Sequence, residues 1–139
     1  MPSIRSTGRL EDMESGAGDV RCVIVDDNLG FLVTASKFLD RHGVSVVGVA
    51  SSSAEALECV QQQRPDVTIV DLKLGEESGF RLAEEILSGP VPTQVILTST
   101  HSESEYGELI AASPALAFVR KEHLSPETIR RLLGADPKS

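Results

Sequence analysis

Residues 66–80 read DVTIVDLKLGEESGF, and this stretch decides the fold. Its apolar run, residues 67–70, is short and rich in β-branched side chains, as expected for a strand buried inside a parallel sheet. Asp71 lies at the end of that strand, and residues 78–87 then predict a helix. A buried strand that leads into a helix is the first half of a βαβ unit, so the stretch predicts an α/β fold.

The same alternation of strands and helices extends along the chain in both directions. Ser52 followed by Glu55 is typical of a helix start, and so is Ser125 followed by Pro126. The predicted order is strand 20–25, helix 29–42, strand 44–49, helix 52–63, strand 67–70, helix 78–87, strand 95–97, helix 103–112, strand 115–119 and helix 125–133. This pattern indicates a five-stranded parallel sheet with helices on both faces, the flavodoxin-like, doubly wound (βα)5 arrangement.

Length and composition fit one domain with its own hydrophobic core. The chain has 139 residues, of which 40% are hydrophobic and 24% charged, close to ordinary globular usage. Residues 1–19 are rich in Ser, Gly and mixed charge without apolar periodicity, so we expect a flexible N-terminal extension there. The domain is expected over residues 20–133, followed by a C-terminal tail, residues 134–139.

The charge balance and the absence of long apolar runs argue against several classes of function. Thirteen basic residues against twenty-one acidic ones give a net charge of −8, which would repel nucleic acid phosphates. No apolar run approaches the roughly 20 residues of a membrane span, and residues 1–19 lack the apolar core of a secretory signal. Cys22 and Cys59 lie in apolar segments and are expected to be buried, reduced thiols. We therefore expect a cytoplasmic protein without direct nucleic acid or membrane contacts.

Polar residues end four of the five predicted strands. Asp26 and Asp27 follow the first strand, Asp71 ends the third, Thr98 ends the fourth, and Lys121 lies just past the fifth. Ligands of such folds bind outside the carboxyl ends of the strands, so these side chains are expected to converge. Three carboxylates that close would repel one another unless a cation intervened. Mg²⁺ suits a site of a few carboxylates, waters and phosphate, so it is the predicted cofactor.

These residue types also suit phosphoryl transfer. An aspartate carboxylate is a competent nucleophile toward phosphorus and would form an acyl phosphate. The reaction needs little beyond positioning and charge neutralisation. Mg²⁺ and Lys121 would supply positive charge, and Thr98 would donate a hydrogen bond to the product.

Four strings in this order resemble the receiver domain of bacterial two-component response regulators. They are VIVDDN at 23–28, DVTIVDLKLGEESGF at 66–80, VILTS at 95–99 and FVRK at 118–121. The resemblance implies that Asp71 is the phosphoacceptor. It also implies that Mg²⁺ is held by Asp71, directly by Asp27, through water by Asp26, and by the backbone carbonyl of Lys73.

The resemblance assigns the remaining residues to the response that follows phosphorylation. Thr98 is the implied switch hydroxyl, Lys121 the phosphate-binding lysine, and Phe118 the aromatic that changes rotamer. Gly79 matches a glycine that the family often has eight residues after its phosphoacceptor.

The resemblance further implies partners. A sensor histidine kinase or a histidine phosphotransferase would donate the phosphoryl group, and a small phosphodonor could replace it. The fourth helix, fifth strand and fifth helix would form the output surface, with a homodimer as one use of it. Such a domain catalyses its own phosphorylation and dephosphorylation and is not an enzyme acting on outside substrates. Too few residues follow residue 133 for an effector domain, so the chain is either a stand-alone receiver or a piece of a larger regulator.

Two positions depart from the family pattern. Gly75 stands where the family commonly has Pro, which predicts a more mobile loop. Glu122 stands where the family often has Pro, so a cis peptide bond cannot be inferred there. Neither change removes a chemical group from the predicted site.

Blander interpretations stay open at this point. Asp26 and Asp27 could be helix-capping acids, Phe118 a core aromatic, and Thr98 a simple strand end. His101 is expected to be solvated. A receiver-like binding module that works without phosphorylation is the alternative function, although it usually lacks one of the acidic, Thr or Lys residues that are all present here. A hydrolase acting through an aspartyl phosphate would need a second carboxylate where this chain has Lys73.

Overall fold

The structure, a computed structural model, describes residues 20–101 and 103–134. The predicted N-terminal extension and residues 135–139 of the predicted tail lie outside this range. The described elements are β1 (Val20–Val25), α1 (Leu29–Arg41), β2 (Val44–Ala50), α2 (Ser53–Gln63), β3 (Val67–Asp71), β4 (Lys73–Leu74), β5 (Glu77–Ser78), α3 (Gly79–Leu87), β6 (Gln94–Ser99), a 3₁₀ turn (Glu103–Glu105), α4 (Gly107–Ala112), β7 (Ala117–Arg120), a second 3₁₀ turn (Lys121–His123) and α5 (Pro126–Gly134).

Five strands form one parallel sheet in the order β2-β1-β3-β6-β7. Every residue of the central strand β3 is buried, in keeping with a strand covered on both sides. The strand order reverses between β1 and β3, which makes a crevice at their carboxyl ends. The predicted five-stranded, flavodoxin-like sheet is confirmed.

Successive strand residues alternate between two hydrophobic cores, one on each face of the sheet. Val23 and Val25 of β1 join the core that α2 and α3 cover, whereas Cys22 and Ile24 join the other one. The first core takes Ala56 and Val60 from α2 and Leu82, Ala83 and Ile86 from α3. The second takes Leu32, Ala35 and Leu39 from α1 and Ile129 from α5. Helices therefore cover both faces, as predicted.

Side-chain caps fix where the helices begin. Asn28, Ser52 and Ser78 each accept a hydrogen bond from the backbone N–H three residues later. Ser125 does the same for the N–H of Thr128 at the start of α5. The helix starts near Ser52 and Ser125 that the sequence predicted are thus present.

Some parts of the chain differ from the prediction, and β6 (Gln94–Ser99) is longer than the predicted strand 95–97. The two-residue strands β4 and β5 form an antiparallel hairpin that the sequence analysis missed. The helix predicted at 103–112 is interrupted, since a 3₁₀ turn precedes α4 and Tyr106 provides no side-chain cap. The last strand runs over Ala117–Arg120 rather than 115–119. Strand and helix ends commonly shift by one or two residues between methods of assignment.

Both cysteines are free thiols. Cys22 is buried, and burial raises the pKa of its thiol well above the ordinary value. Cys59 is only partly buried, so the prediction of two buried thiols is wrong for this residue. Across residues 20–101 and 103–134, no helix has the length and apolar character to cross a membrane.

Candidate functional site

The fold brings the predicted site residues to one edge of the sheet. Asp26 follows β1, Asp71 is the last residue of β3, and Lys121 follows β7. Thr98 lies in β6 and is the register partner of Asp71 on the neighbouring strand. Parallel strands end on the same side, so all of these side chains lie where the sheet opens into its crevice.

Three carboxylates form a cluster at this edge. One oxygen each of Asp26, Asp27 and Asp71 lies within 4.8 Å of the others. Asp26 and Asp71 are buried, whereas Asp27 is exposed, so the cluster opens to solvent on one side. A group of carboxylate oxygens reached from solvent is the donor set that a hard divalent cation such as Mg²⁺ takes. The residues present therefore fit the predicted cofactor.

Lys121 links two of the carboxylates. Its Nζ lies 2.7 Å from Oδ2 of Asp26 and 3.5 Å from Oδ2 of Asp71. The ammonium also lies 4.6 Å from the centre of the Phe31 ring, a favourable cation–π contact. Phe31 was not predicted to be part of the site. Its only sequence signal is a place in the first turns of α1, which says nothing about a lysine ninety residues later.

The surroundings of Asp71 raise its pKa from 3.8 to about 6. The main cause is burial, which disfavours the charged form, and the next is the neighbouring charge of Asp26. Lys121 and a hydrogen bond from the backbone N–H of Lys73 act in the opposite direction. The ionised form of Asp71 is therefore disfavoured by its surroundings. Additional positive charge nearby would stabilise it.

Thr98 presents a hydroxyl beside Asp71. Its Oγ1 is buried and has no hydrogen-bond partner among the described residues. Its backbone carbonyl accepts the N–H of Leu72 at 2.9 Å, which fixes the strand next to Asp71. Leaving a buried hydroxyl unsatisfied costs free energy, so an oxygen added to the Asp71 carboxylate would find a donor already in place.

Phe118 and Thr98 lie on adjacent strands but are not register partners. The β6–β7 register pairs Phe118 with Leu97 and Thr98 with Val119. The ring of Phe118 is part-buried and packs against the core that contains Leu97. Because successive strand residues point to opposite faces, a shift of one position puts Phe118 and Thr98 on different sides of the sheet.

The backbone at Gly79 lies so close to the backbone at Asp71 that only glycine fits. A Cβ atom at this position would overlap the carbonyl oxygen of Asp71. The N–H of Gly79 donates to the carbonyl of Leu72 at 2.8 Å. A side chain here would displace the backbone that carries Asp71.

The loop after Asp71 has hydrogen bonds of its own. The expectation of a more mobile loop rested on Gly75, but the structure places this residue in the turn of the β4–β5 hairpin. The N–H of Gly75 donates to Oδ2 of Asp27 at 2.8 Å. Lys73, whose carbonyl was predicted to bind Mg²⁺, belongs to the same hairpin, and its carbonyl remains a predicted ligand.

The remaining predicted features lie at the rim. His101 is exposed, as expected, and its ring lies edge-on to Tyr106 with centroids 6.5 Å apart. All peptide bonds of the described residues are trans, including the one before Glu122.

Comparison with known proteins assigns the chain to a family. The family model described as the response regulator receiver domain matches residues 22–133. This chain belongs to the response regulator receiver domain family. All residues of the candidate site, from Asp26 to Lys121, lie within the matched range.

Individual relatives agree with this assignment. The chain is 31% identical over 115 residues to NarL of Mycobacterium tuberculosis, which is named as a probable transcriptional regulatory protein, covering 82% of this chain and 53% of that one. The solved signal receiver domain of the Mycobacterium tuberculosis NarL superposes with a TM-score of 0.76 at 27% identity, over 84% of this chain and 98% of that one. A protein-glutamate methylesterase/protein-glutamine glutaminase of Natronomonas pharaonis is 32% identical over 84 residues, 60% of this chain and 23% of that protein.

The chain spans about half the length of NarL and less than a quarter of the methylesterase. The names of those two relatives describe different activities. The similarity therefore concerns the receiver domain and not what lies beyond it.

Proposed function

We propose that this receiver domain accepts a phosphoryl group on Asp71 and that the modification alters its α4–β7–α5 surface. The observation that carries the proposal is the setting of Asp71. Its carboxylate lies 3.5 Å from the Lys121 ammonium, beside the unpartnered Thr98 hydroxyl and within a cluster of three carboxylates. That combination provides a nucleophile, a cation and a hydrogen-bond donor at one point.

In the proposed reaction an oxygen of the Asp71 carboxylate forms a new bond to phosphorus. The bond from phosphorus to the donor breaks, and the donor nitrogen or oxygen keeps the electron pair. Only the ionised carboxylate is a nucleophile, and a pKa of about 6 leaves Asp71 mainly ionised at neutral pH. A bound Mg²⁺, held by Asp26, Asp27 and Asp71, would neutralise charge on the transferred oxygens.

The product differs from the unmodified site in its hydrogen bonds. The new phosphoryl oxygens can accept a hydrogen bond from the Thr98 hydroxyl, which has no partner among residues 20–101 and 103–134. They can also pair with Lys121, which now contacts Asp26 most closely. Interactions made only after modification supply the free energy that shifts a two-state equilibrium, typically about 1–3 kcal/mol.

The proposed route from Thr98 to the surface runs through the β6–β7 pair. Thr98 is the register partner of Val119, and the neighbouring Phe118 lines a groove of about 400 Å³ with Arg120, His123 and Arg131. A movement of β6 toward Asp71 would thus reach a groove on the β7–α5 surface through its nearest strand. A change of the Phe118 rotamer would alter the shape of that groove.

The partners follow from the same proposal. A sensor histidine kinase or a histidine phosphotransferase would donate the phosphoryl group. The α4–β7–α5 surface would bind an output partner or a second copy of the chain. NarL is named as a transcriptional regulatory protein, so control of transcription through a further domain or partner is one output that fits. All of this would take place in the cytoplasm.

Labelling with a small phosphodonor tests the proposal. Incubation with acetyl phosphate and Mg²⁺ should add one phosphoryl group per chain, as measured by intact-protein mass spectrometry. Asp71→Asn has nearly the same shape without the nucleophile and should remain unlabelled. Asp27→Ala should lose both Mg²⁺ affinity and labelling. Steady release of phosphate from a generic phosphate ester, with no stable label, would instead indicate a hydrolase.

A further inference from the structure

The β4–β5 hairpin is built around one glycine. Lys73 pairs with Ser78 and Leu74 with Glu77, which leaves Gly75 and Glu76 as a two-residue turn. Gly75 has a φ of +63°, and such turns take glycine at their first central position. Proline is fixed near a φ of −65° and has no N–H, so it could neither form this turn nor donate from it.

Two hydrogen bonds attach the hairpin to other parts of the molecule. The Gly75 N–H donates to Oδ2 of Asp27 at 2.8 Å, across 48 residues of chain. Oε1 of Glu77 accepts the N–H of Ser53 at 2.9 Å, at the start of α2. The hairpin thus connects the end of β3, which carries Asp71, to Asp27 in the segment after β1 and to a neighbouring helix.

We infer that the Gly75 N–H is a positioning group that holds the Asp27 carboxylate ready for Mg²⁺. This inference rests on the proposed function, because it concerns the cation that the phosphorylation site would bind. Asp27 is the exposed member of the carboxylate cluster, and its side chain is the one with freedom to turn away. The hydrogen bond holds Oδ2 and leaves Oδ1 available to a cation.

One N–H does not compete with a cation for the whole carboxylate. An ionised carboxylate has about four acceptor sites on its two oxygens. Hydrogen bonds to carboxylates that bind metals orient them, and their loss typically weakens metal binding about 10–100-fold. Gly75 donates from the backbone of a paired hairpin that is also attached to α2 through Glu77, so little conformational freedom is lost when Asp27 is held.

The coupling acts in both directions. If hairpin closure raises the affinity of the site for Mg²⁺, Mg²⁺ must stabilise the closed hairpin by the same factor. The left-handed turn at Gly75 would then make this loop part of the metal site. In unmodified protein the exchange of the Gly75 amide with solvent should slow when Mg²⁺ is added.

A matched pair of substitutions separates the effect of losing the Gly75 N–H from the effect of replacing the glycine. Gly75→Pro removes the N–H and the left-handed backbone. Gly75→Asn keeps the N–H, and Asn tolerates a positive φ better than most residues. A Cβ at this position meets no atom within 4 Å, so the added side chain has room. Isothermal titration with Mg²⁺ should give about tenfold weaker binding for Gly75→Pro and binding within about twofold of wild type for Gly75→Asn.

Amide exchange at Gly75 in the wild-type chain provides the second measurement. Slower exchange with Mg²⁺ supports the inference, and faster exchange would overturn it, because the cation would then displace the hydrogen bond. Equal Mg²⁺ affinities of wild type and Gly75→Pro would also overturn it while leaving the proposed function intact. A wild-type chain without Mg²⁺ affinity would contradict the proposed function and this inference together.

Discussion

The helices α3 and α4 precede and follow the same strand, β6, but they are packed very differently. In the nine-residue α3, Gly79, Leu82, Ala83 and Ile86 are buried, and the Ser78 side chain caps the first turn. In the six-residue α4 no residue is buried, and Tyr106 provides no side-chain cap. Packing of an apolar face supplies most of the stability of a helix in a protein, so α4 should open locally more easily than α3.

In the proposed function, this difference would separate the part of the molecule that is phosphorylated from the part that responds. The backbone of α3 touches the residue after Asp71, since Gly79 donates to Leu72 at 2.8 Å. A fixed α3 keeps Asp71 in place. The weakly packed α4 follows β6, which carries Thr98, so under the proposal α4 would move at low cost when the Thr98 hydroxyl binds a phosphoryl oxygen. Four measurements test this contrast and the setting of Asp71, in order of decreasing expected effect.

Truncating one leucine in each helix gives the largest expected difference. Leu82 of α3 is 0% exposed and Leu109 of α4 is 56% exposed. Leu82→Ala should lower the free energy of unfolding by about 2–5 kcal/mol because it leaves a cavity. Leu109→Ala should change it by less than about 0.5 kcal/mol. Urea denaturation measures both, and equal losses would contradict the contrast.

The same glycine substitution at the first residue of each helix should have opposite signs. Gly79→Ala places a Cβ on the Asp71 carbonyl and should cost about 1–3 kcal/mol of unfolding free energy. Gly107→Ala meets nothing within 4 Å and should stabilise the chain by about 0.4–1 kcal/mol. Thermal unfolding of both variants checks the signs. A neutral Gly79→Ala would mean that the backbones approach less closely than the structure shows.

The pKa of Asp71 predicts how stability depends on pH in the absence of Mg²⁺. Its folded-state pKa of about 6 lies above the ordinary 3.8, so the unmodified chain loses stability as the pH rises from about 4 through 6. Asp71→Asn cannot ionise and should be more stable than wild type at pH 8, by on the order of 1 kcal/mol. The difference should vanish below pH 4. Melting temperatures across this range, with a chelator present, test the sign.

The smallest effect concerns the response itself. With a phosphoryl mimic at Asp71, amide exchange in α4 and β7 should change by about fivefold, which corresponds to about 1 kcal/mol. Exchange in α3 should not change. Asp71→Asn treated with the same mimic serves as the control. If residues 103–133 stayed silent while the loops after β1 and β3 responded, the proposed output surface would be wrong.

The sequence predicted the sheet well because its signals are local. Apolar β-branched runs such as residues 67–70 and capping side chains such as Ser52 depend on neighbours within a few positions. Once the strand ends were placed, the proximity of Asp26, Asp71 and Lys121 could be predicted as well. These residues could be grouped without coordinates because parallel strands share one carboxyl edge.

Of the features that were missed, one is local but too short to show a pattern, and two depend on contacts between distant segments. Pairing in the β4–β5 hairpin spans only two residues per strand, too few for an alternating pattern. The one-residue shift that pairs Phe118 with Leu97 depends on how β6 and β7 are aligned. The contact of Phe31 with Lys121 requires α1 and the end of β7 to be packed together. None of these three structural features produces a recognisable pattern in the neighbouring residues of the sequence.

The most direct test is chemical identification of the modified residue. Borohydride reduces an acyl phosphate to an alcohol, so phosphorylated Asp71 would be converted to homoserine. After treatment with acetyl phosphate, Mg²⁺ and borohydride, tandem mass spectrometry should find homoserine at position 71 and not in Asp71→Asn. Homoserine at position 26 or 27 with position 71 unchanged would contradict the assignment of Asp71 as the phosphoacceptor.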